Sequence, residues 1–132
     1  MKTLVQFRSD KFPAYIYEEE EIKPGLWGSR LADYLAANLR KKGIKAGEPV
    51  AKDWGFCIPI DNNEFPLSIC CGHRNGDDDE FLCFTDPATP TIRKLLFWKI
   101  DATPRLEEVT RAMDEILTSD PAIREIEWMK PF

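Results

Sequence analysis

The chain holds one histidine, His73, and few serines, none of which has a histidine partner in the sequence pattern. Phosphate-loop, GxSxG and HExxH motifs are all missing, and Gly25, Gly28, Gly43 and Gly47 do not form a phosphate loop. These absences lower the expectation of an enzyme, and no cofactor is expected. No apolar run approaches the ~20 residues of a membrane span. The start, Met-Lys-Thr-Leu-Val-Gln-Phe-Arg, turns charged too early for a signal peptide. The expected compartment is therefore the cytoplasm, with the cysteines reduced. A basic excess is missing as well: 18 basic against 23 acidic residues give a net charge of −5. That balance argues against nucleic acid and against anionic membranes as partners, and it permits a basic protein partner. There is no internal repeat, no low-complexity segment and no long linker, so residues 1–132 read as one domain.

What is present suits a folded chain. Apolar residues make up 43% and charged residues 31% of 132. A chain of this length buries roughly two-thirds of the surface its unfolded form exposes, so it needs neither metal nor disulfides to be stable.

Taken in order, Leu4 to Phe7 reads as a strand, and Phe12 to Tyr17 as its extension or as a second strand pushed to an edge by Pro13. Glu18 to Glu21 is a like-charge run, read as a solvated loop or, in the sharper reading, as part of an acidic recognition face. After the Pro24-Gly25 turn, Leu26 to Lys42 is helical, with Leu31, Leu35 and Leu39 on one face and Trp27 packing beside them. Ser29 is the expected cap, and Gly43 the expected stop.

Val50 to Thr85 reads as a three-stranded meander. A turn at Asn62-Asn63 places Ile58 opposite Leu67, Phe56 opposite Ile69 and Trp54 opposite Cys71. A second turn over residues 75–80 places Cys71 opposite Cys83 and His73 opposite Phe81. Alternation then puts Trp54, Phe56, Ile58, Leu67, Ile69, Cys71, Phe81 and Cys83 on a core face. Gly55, Cys57, Ser68, Cys70, Gly72, Leu82 and Phe84 fall on a flatter, partly open face.

Ile92 to Lys99 is expected to be one long strand, either central in the sheet or covered on both sides. Thr103, as cap, and Pro104 open a second helix, whose stripe is Leu106, Val109, Met113, Ile116 and Leu117. Ile123 to Met129 alternates as a last strand. The order predicts an α+β two-layer sandwich, a mainly antiparallel sheet of five to six strands with two helices on one face.

The cysteines, the histidine and the acidic run bear on four chemistries. Cys57, Cys70, Cys71 and Cys83 with His73 lack the paired spacing of a zinc site, and adjacent Cys70 and Cys71 point to opposite faces. A Cys71–Cys83 disulfide fits the register but not a reducing compartment. A Cys71–His73 nucleophile requires a thiol that the core would leave inert, and His73 beside Arg74 reads as a surface residue. Asp77-Asp78-Asp79-Glu80 lacks the spacing of a calcium loop and reads as a solvated hairpin tip, or else as an acidic patch for a basic partner. Asp53-Trp54-Gly55-Phe56 is the most distinctive tetrapeptide. Trp54 is either a core residue or the brace beneath a binding edge formed by Asp53 and Gly55.

Several stretches carry a resemblance. They are Leu31-Ala32-Asp33-Tyr34-Leu35 with Gly43, Pro49 with Asp53-Trp54-Gly55-Phe56, Leu67 to Gly72, and Ile116 to Pro121 before a tryptophan strand. In these the chain resembles a small uncharacterised bacterial α+β family with an acidic-Trp-Gly-aromatic signature. In size and acidity it is similar to toxin-immunity proteins. Lys52 departs from the pattern, which carries an acidic residue at that place. The resemblance implies a small α+β fold in a bacterial setting, and it transfers no catalytic residues.

The leading expectation is a non-enzymatic acidic domain that binds a basic protein, with an immunity-type inhibitor as its most specific form. Its expected contact residues are Asp53, Trp54, His73, Asp77, Asp78, Asp79 and Glu80. The alternative is a small-molecule binder or enzyme working on the open face near Cys57, Cys70 and Gly72. A monomer or a homodimer fits either reading.

Overall fold

The computed structural model describes residues 1–13, 28–73, 79–94 and 98–131. The expectations for residues 14–27, for Asp77 and Asp78, and for the side chains of Leu95, Leu96, Phe97 and Trp98 lie outside the described residues.

The described elements run β1 (Leu4–Ser9), α1 (Ser29–Lys41), β2 (Val50–Lys52), β3 (Gly55–Pro59), β4 (Ser68–His73), β5 (Glu80–Asp86), β6 (Thr91–Lys94), β7 (Trp98–Asp101), α2 (Thr103–Ser119) and β8 (Ile123–Met129). Six strands form one antiparallel sheet in the order β2-β3-β4-β5-β1-β8, and β6 and β7 form a separate two-stranded sheet. The chain is thus an α+β fold, as its pattern predicts.

The core fills the space between the sheet and the helices. Val5, Phe7, Phe56, Ile58, Ile69, Cys71, Phe81 and Cys83 come from the sheet, and Leu31, Leu35 and Leu39 come from α1. Leu106, Val109, Met113, Ile116 and Leu117 come from α2. These three leucines of α1, spaced four residues apart, are each 0% exposed, so truncating one to alanine removes about 2–5 kcal/mol.

Helix ends follow local chemistry, with two departures from expectation. Gly28, not Ser29, is the first cap of α1, and its carbonyl accepts from the Ala32 N–H at 2.8 Å. At the other end Gly43 has φ +84, its N–H donates to the Arg40 carbonyl at 3.0 Å, and the Ile44 N–H donates to the Leu39 carbonyl at 3.1 Å. This is a Schellman stop, and it turns Ile44 back into the core. In α2, Thr103 is already helical, and the Asp101 carboxylate accepts its N–H at 3.0 Å.

Two apolar runs divide differently from the expectation. Lys52 pairs with Gly55, so the first arm of the meander is itself a hairpin turning at Asp53-Trp54. The expected single strand over 92–99 is the β6–β7 hairpin, with Lys94 paired to Trp98. Ile92 and Ile100 lean from it onto the core.

The β4–β5 register is the expected one, with Cys71 opposite Cys83 and His73 opposite Phe81. The β3–β4 register differs by two residues: Phe56 lies opposite Cys71 and Ile58 opposite Ile69. A two-residue slip keeps every side chain on its face, because the strand period is two.

Candidate functional site

The site begins at the β2–β3 turn. Asp53 and Trp54 are its two turn residues, and β2 is an edge strand whose three residues are all exposed. Trp54 is therefore not a core residue: it is 44% exposed, and its indole stacks on Phe84 at 5.4 Å with 29° between planes. Phe84 lies on the flatter face, the opposite side from the core. Val50, at 48% exposure, stands on the same edge.

His73 is also placed differently. It is 5% exposed and meets the Phe81 ring edge-on at 5.7 Å. Pairing with Phe81 at the head of the β4–β5 connection turns the imidazole to the core face, so His73 does not share a surface with Trp54.

Asp79 and Glu80 are held by cations rather than left to solvent. The Asp79 carboxylate accepts from Arg8 Nη1 at 2.8 Å and from Arg124 Nη2 at 2.5 Å. Its own backbone carbonyl accepts the Ser9 N–H at 2.9 Å. Partial desolvation pushes its carboxyl up, but the Arg8 and Arg124 guanidinia outweigh that and hold it below the usual carboxylate range. Glu80 accepts from Gln6 Nε2 at 3.0 Å and lies 3.7 Å from Arg8 Nη2. The freely solvated hairpin tip expected from the sequence is not what these two residues form.

The topology brings these residues to one end of the sheet. The β2–β3 turn and the β4–β5 connection close the same end, and β1 finishes there at Ser9. The two turns stand two strand spacings apart, or about 10 Å. The N-terminus of α1 meets this end as well, since a Cβ on Gly28 would lie 3.0 Å from the Gly72 Cα. Arg30 Nε donates to the Pro13 carbonyl at 2.9 Å, which brings Pro13 beside the first turn of α1.

The flatter face is less open than its sequence predicts. Bare backbone at Gly55 and Gly72 is met by the chain itself: a Cβ on Gly55 would lie 2.5 Å from the Cys71 carbonyl oxygen, and one on Gly72 would lie 3.1 Å from the Trp54 carbonyl oxygen. Cys57 is 8% exposed and Cys70 is 1%. Burial pushes both thiols up, Cys70 the further, which keeps them protonated and poorly nucleophilic at neutral pH. Cys71 and Cys83 are buried on the core face, and all four cysteines are free thiols. Among the described residues no three His, Cys, Asp or Glu side chains are grouped to hold a metal ion.

Two grooves lie elsewhere. One of about 600 Å³ runs between the end of α1 and the start of α2, past Lys42, Pro104, Glu108 and Arg111. The other, about 810 Å³, flanks the loop from Asp61 to Pro66. Neither is lined by Cys57, Cys70, Gly72 or Trp54.

Sequence reasoning missed Phe84 as the platform for Trp54, and Arg8 and Arg124 as the counter-charges of Asp79. A signal for the first was available: Asp-Trp before glycine, flanked by short apolar stretches, fits a two-residue hairpin turn. The second pairs residues 71 and 45 positions apart, which no local pattern reveals.

No family model matches this chain, and comparison with curated proteins and with solved structures likewise yields no match.

Proposed function

We propose that the chain is a non-catalytic binding domain that recognises a basic protein through the sheet end carrying Asp53 and Trp54, in the manner of an immunity-type inhibitor. The observation that carries this reading is the half-exposed indole of Trp54, braced from below by Phe84 and flanked by the exposed Asp53 carboxylate. A large aromatic held rigid at a surface loses little entropy on binding, and tryptophan is enriched among the few residues that dominate interface energies.

Charge supports the same reading. The net charge of −5 favours a partner of complementary sign, which long-range attraction would steer to this protein. The buried imidazole and the protonated thiols add support for binding over catalysis. The proposed compartment is the cytoplasm. Among the described residues no helix is long and apolar enough to cross a membrane.

The test is affinity capture with wild-type protein and with Trp54→Ser, folding being checked by circular dichroism. Wild type is expected to retain a basic protein that high salt releases, and Trp54→Ser is expected to lose it while staying folded. Equal recovery by the folded variant would refute the assignment of Trp54. Recovery insensitive to salt would refute the electrostatic part.

A further inference from the structure

Cys57 and Cys70 are direct cross-strand partners on β3 and β4. The kind of pairing they occupy follows from the ladder. The Ile60 N–H donates to the Leu67 carbonyl at 2.9 Å, so Ile60 and Leu67 form a hydrogen-bonded pair. Antiparallel pairs alternate, which makes Pro59–Ser68 non-hydrogen-bonded, in keeping with the missing proline N–H. Ile58–Ile69 is then hydrogen-bonded, and Cys57–Cys70 is again non-hydrogen-bonded. Such pairs bring their Cα atoms to about 4.5 Å, with side chains close, and disulfides span Cα separations of about 4.4–6.8 Å.

We propose that Cys57 and Cys70 are a dithiol that closes to a cross-strand disulfide when the protein meets a low-molecular-weight disulfide such as oxidised glutathione.

The order of events follows from placement. Cys57 is the more exposed of the two, and its cross-strand neighbour on the other side, Val50, belongs to the three-residue edge strand β2. Short edge strands open at low cost in free energy, which admits a small reagent to Cys57 before Cys70. Opening also lets water in and relieves the desolvation that holds the Cys57 proton, so the Cys57 sulfur loses its proton to water, attacks one sulfur of the external disulfide and releases one thiolate. Cys70 gives up its proton to that thiolate, and its sulfur then attacks the Cys57 sulfur and expels the second external thiolate, which takes up the proton left by Cys57. One protein disulfide forms, and the reagent leaves as two thiols carrying both electrons and both protons.

Cys71 and Cys83 form the natural control. They too are direct partners, but both are 0% exposed and lie on the core face beneath the helices. Reaching them requires opening the core rather than an edge, so they stay reduced under native conditions.

The test incubates the full-length protein with excess oxidised glutathione until its composition is constant, blocks remaining thiols with maleimide, and maps linked peptides by mass spectrometry. Maleimide incorporation, read on the unfolded protein, is expected to fall from four to two, with Cys57 linked to Cys70. The Cys71→Ala/Cys83→Ala variant is expected to form the same bond, and Cys57→Ala to form none. Four blockable thiols, a Cys71–Cys83 link, or a glutathione adduct that persists on Cys57 would each overturn the proposal.

Discussion

Asp120 shows how single residues tie this fold together. Its Oδ2 accepts from Lys11 Nζ at 2.6 Å and from the Tyr34 hydroxyl at 2.8 Å, while Oδ1 accepts the Ala122 N–H at 2.9 Å. The Lys11 ammonium also sits 4.4 Å above the Tyr34 ring. The Lys11 hydrogen bond, then the Ala122 N–H and the Tyr34 hydroxyl, lower the Asp120 carboxyl to about 2. Burial, then the bond to Asp120 and its charge, push the Tyr34 hydroxyl up to about 12. Asp120 thus binds its proton more weakly folded than unfolded. Its contribution is present above the unfolded value of about 4 and is lost as pH falls through about 2. Tyr34 has the opposite sign, its contribution being present below about pH 10 and lost as pH rises through about 12. Asp120→Asn should therefore flatten the acid limb of stability between about pH 4 and pH 2 in urea unfolding. Tyr34→Phe should cost about 1 kcal/mol at neutral pH and flatten the alkaline limb. Unchanged limbs would show that the Lys11–Asp120–Tyr34 cluster is incidental to stability.

Individual side chains were the least legible part of the sequence. Strand parity assigned Phe56, Ile58, Ile69, Cys71, Phe81 and Cys83 to the core, where they lie. Parity does not apply in a turn, so it misplaced Trp54. His73 was misread because a strand end beside a charged residue looks exposed, whereas its pairing with Phe81 covers it.

At the level of elements, signals carried by backbone chemistry were readable and those carried by long-range pairing were not. Gly43 marked the end of α1 because few other residues adopt φ +84 without strain. Gly43→Ala should cost about 1 kcal/mol in urea unfolding, with the fold retained. Gly55→Ala should cost more, about 2 kcal/mol, because the new Cβ would meet the Cys71 carbonyl oxygen at 2.5 Å, and backbone must move to relieve it. A reversed order of these two costs would contradict the packing described for β3 and β4.

The hairpin registers show the same division. The β3–β4 loop does not turn tightly at Asn62-Asn63. Instead the Asn62 carboxamide oxygen accepts the Glu64 and Phe65 N–H groups, at 2.9 and 3.1 Å, and its Nδ2 donates to the Phe65 carbonyl at 2.9 Å. This side-chain-built loop shifts the register by two. The β6–β7 hairpin was hidden because no glycine, proline or asparagine lies between Lys94 and Trp98 to mark a turn.

Across the whole molecule, the layers were legible because helical and strand periodicities alternate cleanly with turns. The sheet order was not, since β1 and β8 pair through contacts more than a hundred residues apart. That pairing sets the charge layout. Arg8 on β1 lies within 4 Å of Asp79, Glu80 and Glu125 at once, and Arg124 on β8 joins Asp79 from the other side. Cations from two strands thus answer the carboxylates at the start of β5 and leave Asp53 the outward charge beside Trp54. The most direct measurement of that surface places a photo-crosslinking phenylalanine analogue at position 54, with a second variant carrying it at position 111 on the exposed side of α2. Irradiation in lysate should give a discrete adduct with a basic protein from position 54 and none from position 111. An adduct from position 111 alone, or none from position 54, would contradict recognition through the Asp53–Trp54 turn.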